Sequence, residues 1–183
     1  MADCLDRVVA RYPRLFGSGR PPGSYLPSGW ESLVDRLCEG INALLDDDEA
    51  KTFQVLQVKE KLGILRFYFA LGDQQTTMID ILNQGVRYRV EPENPIATFQ
   101  KISALVQATE KASTATCETC GEPGRLRLLA GNFTVTPKGY FTLGEDTVGE
   151  ARMNGWLKCL CDNHVHEAAA DWAGRFDTEE DEE

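Results

Sequence analysis

Residues 53–71 read FQVLQVKEKLGILRFYFAL. Two runs rich in Val, Leu, Phe and Tyr flank Gly63, a composition that predicts a β-hairpin with strands at 53–61 and 64–71. In the first strand Leu56 and Val58 are expected on one face, with Gln57, Lys59 and Lys61 opposite. In the second, Leu65, Phe67 and Phe69 face one way and Arg66 and Tyr68 the other. A sheet with one buried and one wet face produces this alternation. The wet face gathers Lys59, Lys61, Arg66 and Tyr68, a candidate binding face for an acidic partner or a phosphate backbone. The plainer reading of the same residues is a solvated sheet face.

Helical patterns lie on both sides of the hairpin. Residues 2–12 read as a short helix with Leu5, Val8 and Val9 on one side, and 13–28 as a Pro-, Gly- and Ser-rich loop. Ser28-Gly29-Trp30-Glu31 has the form of a capping box. Behind it Trp30, Leu33, Val34, Leu37, Cys38, Ile41, Leu44 and Leu45 keep helical spacing. The acids Asp46 to Glu49 suit the end of a helix dipole badly, so the chain is expected to leave the helix there. Thr76–Gln84 reads as a short helix. Asn94-Pro95 reads as the cap and first turn of another, carried to about residue 112 by Ile96, Phe99, Ile102, Leu105 and Val106.

The chemistry lies further on. Cysteines stand at positions 4, 38, 117, 120, 159 and 161, and the two histidines at 164 and 166. Cys117-Glu118-Thr119-Cys120-Gly121 is a C-x-x-C knuckle, and Cys161-Asp162-Asn163-His164 is a C-x-x-H half. Two thiolates three positions apart on a tight turn both reach one ion at ~2.3 Å, and the glycine lets backbone N–H groups turn toward sulfur. Cys117, Cys120, Cys161 and His164 thus form the expected ligand set of a structural zinc site. Cys159 and Cys161 are two apart and point opposite ways on a strand, so only one faces the metal. Cys161 has His164 at the right distance. Cys159 and His166 stand as the alternatives to a proposed ligand.

The 183 residues carry 19 Lys and Arg against 29 Asp and Glu, a net charge of −10. Six of the acids fall in residues 177–183, which read as a solvated, disordered tail. The remainder is mildly acidic, which disfavours a nucleic-acid binder with a basic face. No apolar run has the length of a membrane span and no export signal opens the chain, so a cytosolic address without a membrane partner is expected.

Catalysis finds little to work with. With one of two histidines assigned to zinc, a Ser-His-Asp or Cys-His arrangement is nearly excluded. No histidine precedes Cys117, as a zinc deaminase requires. Residues 121–160 contain none to serve as the base of a nuclease built on paired knuckles. Gly17-Ser18-Gly19-Arg20 lacks the ending of a phosphate-binding loop.

Several stretches together resemble an uncharacterised family of small bacterial and phage-encoded proteins. They are Gly29-Trp30, Gln57-Val58-Lys59-Glu60-Lys61, Gly63, Leu65-Arg66-Phe67-Tyr68, Cys117–Gly121 with Pro123-Gly124, Trp156, and Leu160-Cys161-Asp162-x-His164. The likeness covers about two-thirds of the chain. In that family the place of Cys159 is usually taken by a small hydroxyl residue, which implies Cys161 as the ligand. The stretch 129–154 is longer than the resemblance implies. With Phe133, Tyr140 and Phe141 among several glycines, it reads as an inserted hairpin.

The resulting expectation is an α+β fold. Residues 1–115 make a helix and hairpin domain, 116–176 a zinc-ribbon-like module closed by a helix at His164–Ala173, and 177–183 the tail. Trp172 and Phe176 are expected to anchor that last helix. The expected function is a non-enzymatic, cytosolic protein-interaction protein of phage or prophage type. The alternatives are a nucleic-acid-associated zinc module, or an acidic inhibitor of a host nucleic-acid-binding enzyme.

Overall fold

The hairpin lines the main core. The computed structural model describes residues 3–17, 19–75, 77–81, 86–90, 92–129, 133–135, 141–143 and 156–173. In it β1 (Phe53–Lys61) pairs antiparallel with β2 (Ile64–Leu71). The connecting Leu62 and Gly63 have positive φ angles of 56° and 71°, the hand that joins twisted strands through two residues. A short β3 (Gln74–Gln75) pairs with Ala70 and Leu71, giving the strand order β1-β2-β3.

The second strand alternates as expected, with Leu65, Phe67, Phe69 and Leu71 buried. The first does not. Its register shifts between Val55 and Gln57, and the buried set is Phe53, Val55 and Val58. Leu56 is the extra residue of a bulge, half-buried instead of sharing the inner face with Val58.

Helices cover the inner face. In α1 (Cys4–Arg11) Leu5 and Val8 are buried. The expected loop after it begins with a short helix, α2 (Pro13–Phe16), because Pro13 occupies a first-turn position where its missing N–H costs nothing. The long helix α3 (Glu31–Leu44) buries Leu33, Val34, Leu37, Cys38 and Ile41. The acids after it do mark its end, and they also begin a new helix, α4 (Asp47–Thr52). There Asp46 accepts from the backbone of Asp48 and Glu49, and Glu49 closes a true capping box.

Two other expectations are corrected. Residues 77–81 are not helical: β4 (Thr77–Ile81) pairs antiparallel with β5 (Val86–Val90). The run Thr-Met-Ile-Asp-Ile has β-branched residues at alternate positions, and an equally alternating run follows to pair with it. The next helix, α5 (Ala97–Ser113), is not capped by Asn94: its N-cap is Ile96, with no side-chain cap. Gln74 holds the segment before it, accepting from the Ile96 N–H (3.1 Å) and donating to the Asn94 carbonyl (3.0 Å).

One core unites these parts. It includes Leu5, Phe16, Trp30, Val34, Ile41, Val58, Phe67, Phe69, Phe99 and Val106. Each buried side chain of this size contributes about 1.5–3 kcal/mol. Both edges of the hairpin are covered. The outward N–H groups of Leu65 and Phe67 donate to Ser113 Oγ (3.0 Å) and Glu110 Oε1 (3.2 Å) of α5. On the other edge the Val58 N–H donates to Ser24 Oγ (3.0 Å), and the Tyr25 N–H donates to the Val58 carbonyl (2.8 Å).

Beyond α5, β6 (Arg125–Leu129) pairs antiparallel with β9 (Trp156–Leu160). Between them β7 (Phe133–Val135) pairs with β8 (Phe141–Leu143), within the expected insertion. The last helix is α6 (Asp162–Ala173). The Trp172 side chain, Phe176 and the tail at 177–183 lie outside the described residues. Among the described residues no helix is long and apolar enough to cross a membrane.

Candidate metal centre

The knuckle is a tight backbone turn that follows α5. The Cys117 N–H donates to the Glu122 carbonyl (2.8 Å), and the Gly121 N–H donates to the Cys117 carbonyl (2.9 Å). Gly121 has a φ of +82°, which a residue with a Cβ rarely adopts. The closing half is built differently. Cys161 directly precedes α6, and its carbonyl accepts from the His164 and Val165 N–H groups, each at 3.2 Å. His164 therefore lies one turn into the helix, on the same side as Cys161. The positive end of α6 sits beside the Cys161 sulfur and favours a thiolate there.

The two halves converge. Cys120 Sγ and Cys161 Sγ are 3.8 Å apart, Cys117 Sγ and His164 Nδ1 3.8 Å, and Cys161 Sγ and His164 Nδ1 3.1 Å. All four ligand atoms lie within 4.8 Å of one another, a group that could hold a metal ion. A tetrahedron of sulfurs at ~2.3 Å from its centre has edges of about 3.8 Å, the distance between Cys120 Sγ and Cys161 Sγ. Cys117 and Cys161 are buried, His164 is half-buried and Cys120 is exposed. Burial pushes the Cys161 thiol up, but hydrogen bonds from the His164 side chain and backbone outweigh it and bring the thiol down to about 6.

The alternative ligands lie elsewhere. Cys159 is fully buried in the main core, and desolvation pushes its thiol up to about 11. His166 is exposed. A second apolar cluster of Leu129, Leu160 and Val165 packs around Cys117 and Cys161.

The ligand loop is held by residues whose role was not foreseen. Ser28-Gly29-Trp30 is not a capping box but a single 3₁₀ turn, and α3 begins at Glu31 without a side-chain cap. Glu31 instead pairs with Arg7, whose Nε donates to Oε1 at 2.9 Å. The freed turn clasps the knuckle. Ser28 Oγ donates to the Thr119 carbonyl (2.7 Å), the Gly29 N–H to the Glu118 carbonyl (2.8 Å), and the Trp30 indole to the Thr116 carbonyl (2.8 Å). A Cβ on Gly29 would lie 2.1 Å from the Cys117 carbonyl oxygen, so only glycine permits this approach.

Charged groups complete the support. Glu118, inside the knuckle, is buried and pairs with Lys158 of β9. Its N–H donates to the Cys159 carbonyl (2.8 Å), and its Oε2 accepts from the Cys159 N–H (3.3 Å). Desolvation raises its carboxyl above the usual range, against the pull of Lys158. Arg125 and Arg127 both reach Asp162 at the start of α6. The signal for these roles was present in the ligand motifs themselves, since Glu118 and Asp162 are their intervening residues.

The hairpin face does not form the exposed four-residue patch that its alternation suggested. Lys59 lies over the Tyr68 ring, 5.5 Å from its centroid, and both are half-buried, as is Lys61. Arg66 is only 2% exposed. Its Nη1 turns back to donate to the Leu65 carbonyl at 3.1 Å, which lays the side chain along the strand instead of out into water. No family model, curated protein or solved structure matches the chain.

Proposed function

We propose that the chain is a non-catalytic, cytosolic protein-interaction protein of the phage or prophage type its motif blocks resemble, with zinc as a structural staple. The observation that carries this reading is the complete set of four side-chain ligands. Three thiolates and one imidazole favour zinc over hard cations, which prefer oxygen. Four protein ligands in a tetrahedron leave no position for an activated water, so the metal would supply folding energy and not Lewis-acid chemistry. The exposed His166 is then the one histidine left for acid–base work, and it lies outside the ligand cluster.

The test has two parts. Purified protein is expected to carry one zinc per chain, and Cys161→Ser to carry none. Tagged protein is then used as bait in host lysate, with and without nuclease. A discrete protein captured at moderate salt after nuclease treatment supports the reading. Capture that disappears with nuclease replaces it with the nucleic-acid-associated module.

A further inference from the structure

The outer face of the hairpin holds a pair of cations for which the described residues supply no counter-charge. Lys59 and Arg66 are directly opposed cross-strand partners in the β1–β2 register. Like charges so placed repel one another. The Lys59 ammonium lies over the Tyr68 ring and pairs with no carboxylate among the described residues. Arg66 is 2% exposed, and its Nε and Nη2 have no hydrogen-bond partner among the described residues. A guanidinium buried without a counter-charge is costly.

The geometry of the orphaned groups is specific. With Nη1 directed to the Leu65 carbonyl, the remaining edge is the Nε–H and Nη2–H pair. These two bonds leave the guanidinium side by side, the fork that takes two oxygens of one oxyanion. Two opposed cations call for a dianion, and a phosphate group carries close to two negative charges near neutral pH. Both nitrogens are shielded from solvent, so an anion reaches them only as the cover over them opens locally, which a small phosphate compound requires far less of than a polymer.

We propose that Arg66 and Lys59 form a phosphate site on the outer face of the hairpin. Arg66 grips two oxygens through Nε and Nη2, and Lys59 neutralises the second charge. The site is separate from the metal centre and does not depend on the proposed function.

Thermal unfolding of the zinc-loaded full chain tests this, in chloride buffer against inorganic phosphate or glycerol 3-phosphate at equal ionic strength. Saturating ligand is expected to raise the Tm by roughly 5 °C. A response to inorganic phosphate alone assigns the free anion; a larger response to the ester assigns a small phosphomonoester. Arg66→Met is expected to lose the shift while matching or exceeding the wild-type Tm in chloride, since it removes an uncompensated charge. Arg66→Lys keeps the charge without the fork and should show less than half the shift. It decides the matter should Arg66→Met not accumulate as folded protein. A wild-type Tm that merely follows the chloride control overturns the proposal, as does a full shift in either variant. Zinc content is read on the same samples, so that loss of metal is not mistaken for an anion effect.

Discussion

Gly29 shows how much one residue carries. Its absent side chain lets the backbone before α3 lie against the knuckle, where a Cβ would also come within 2.5 Å of the Gly121 nitrogen and 2.8 Å of the Cys120 nitrogen. These neighbours are backbone atoms and cannot swing aside. Gly29→Ala is therefore expected to destabilise the protein by at least about 3 kcal/mol and to weaken metal retention, read by denaturant titration with a parallel metal assay. A variant with unchanged stability would show that the contact yields easily. At this scale the four ligand positions were legible, because a coordination sphere dictates residue types and short spacings. The clasp was not. Ser-Gly-Trp-Glu satisfies the local rule for a helix start, and only a tertiary contact 91 residues away shows that the serine hydroxyl donates to Thr119 instead of accepting from its own helix. Arg66 was misread for a related reason, since alternation assigns a face and not a depth.

Among elements, the hairpin and α5 depend on one another. The strand supplies N–H donors that no neighbouring strand takes, and the helix supplies Ser113 and Glu110 to accept them. Ser113 is fully buried, so Ser113→Ala leaves the Leu65 N–H without a partner or water. The expected cost is about 1–3 kcal/mol, measured as a shift of the denaturation midpoint at constant slope. A change below a few tenths would mean that the edge finds another acceptor. Element type was readable wherever a period ran long: α3, α5 and both hairpin strands fall within a residue or two of the pattern. It failed where the run was short, as at β4, or where one extra residue reset the alternation, as at Leu56. A bulge leaves no mark in composition, and a five-residue strand with one polar break does not separate clearly from a helical turn.

At the scale of the whole molecule, the metal centre is tied into the first half of the chain. Cys159 belongs to the main core, Trp30 is anchored at Thr116, and a Cβ on Gly63 would meet Leu126 Cδ2 at 2.6 Å. Zinc binding to such sites is worth about 10–16 kcal/mol, as large as the whole stability of an ordinary domain. Chelation is thus expected to reach beyond the last third. Hydrogen exchange after chelator treatment should show lost protection in β6, β9 and α6, and also at the start of α3. Full protection of α3 in the metal-free chain would confine the effect to residues after 116.

The clasp on the knuckle also bears on how the protein is made. Synthesis runs from the N-terminus, so the Ser28–Trp30 turn leaves the ribosome long before the loop it holds. Cys120 precedes Cys161 by an interval of roughly 2–8 s at ordinary rates of translation. During that interval a nascent chain offers two thiolates to the metal pool, and the other two ligands do not yet exist. Durable capture of a metal would wait until the closing helix emerges, so the clasp is synthesised well before the site it holds could load.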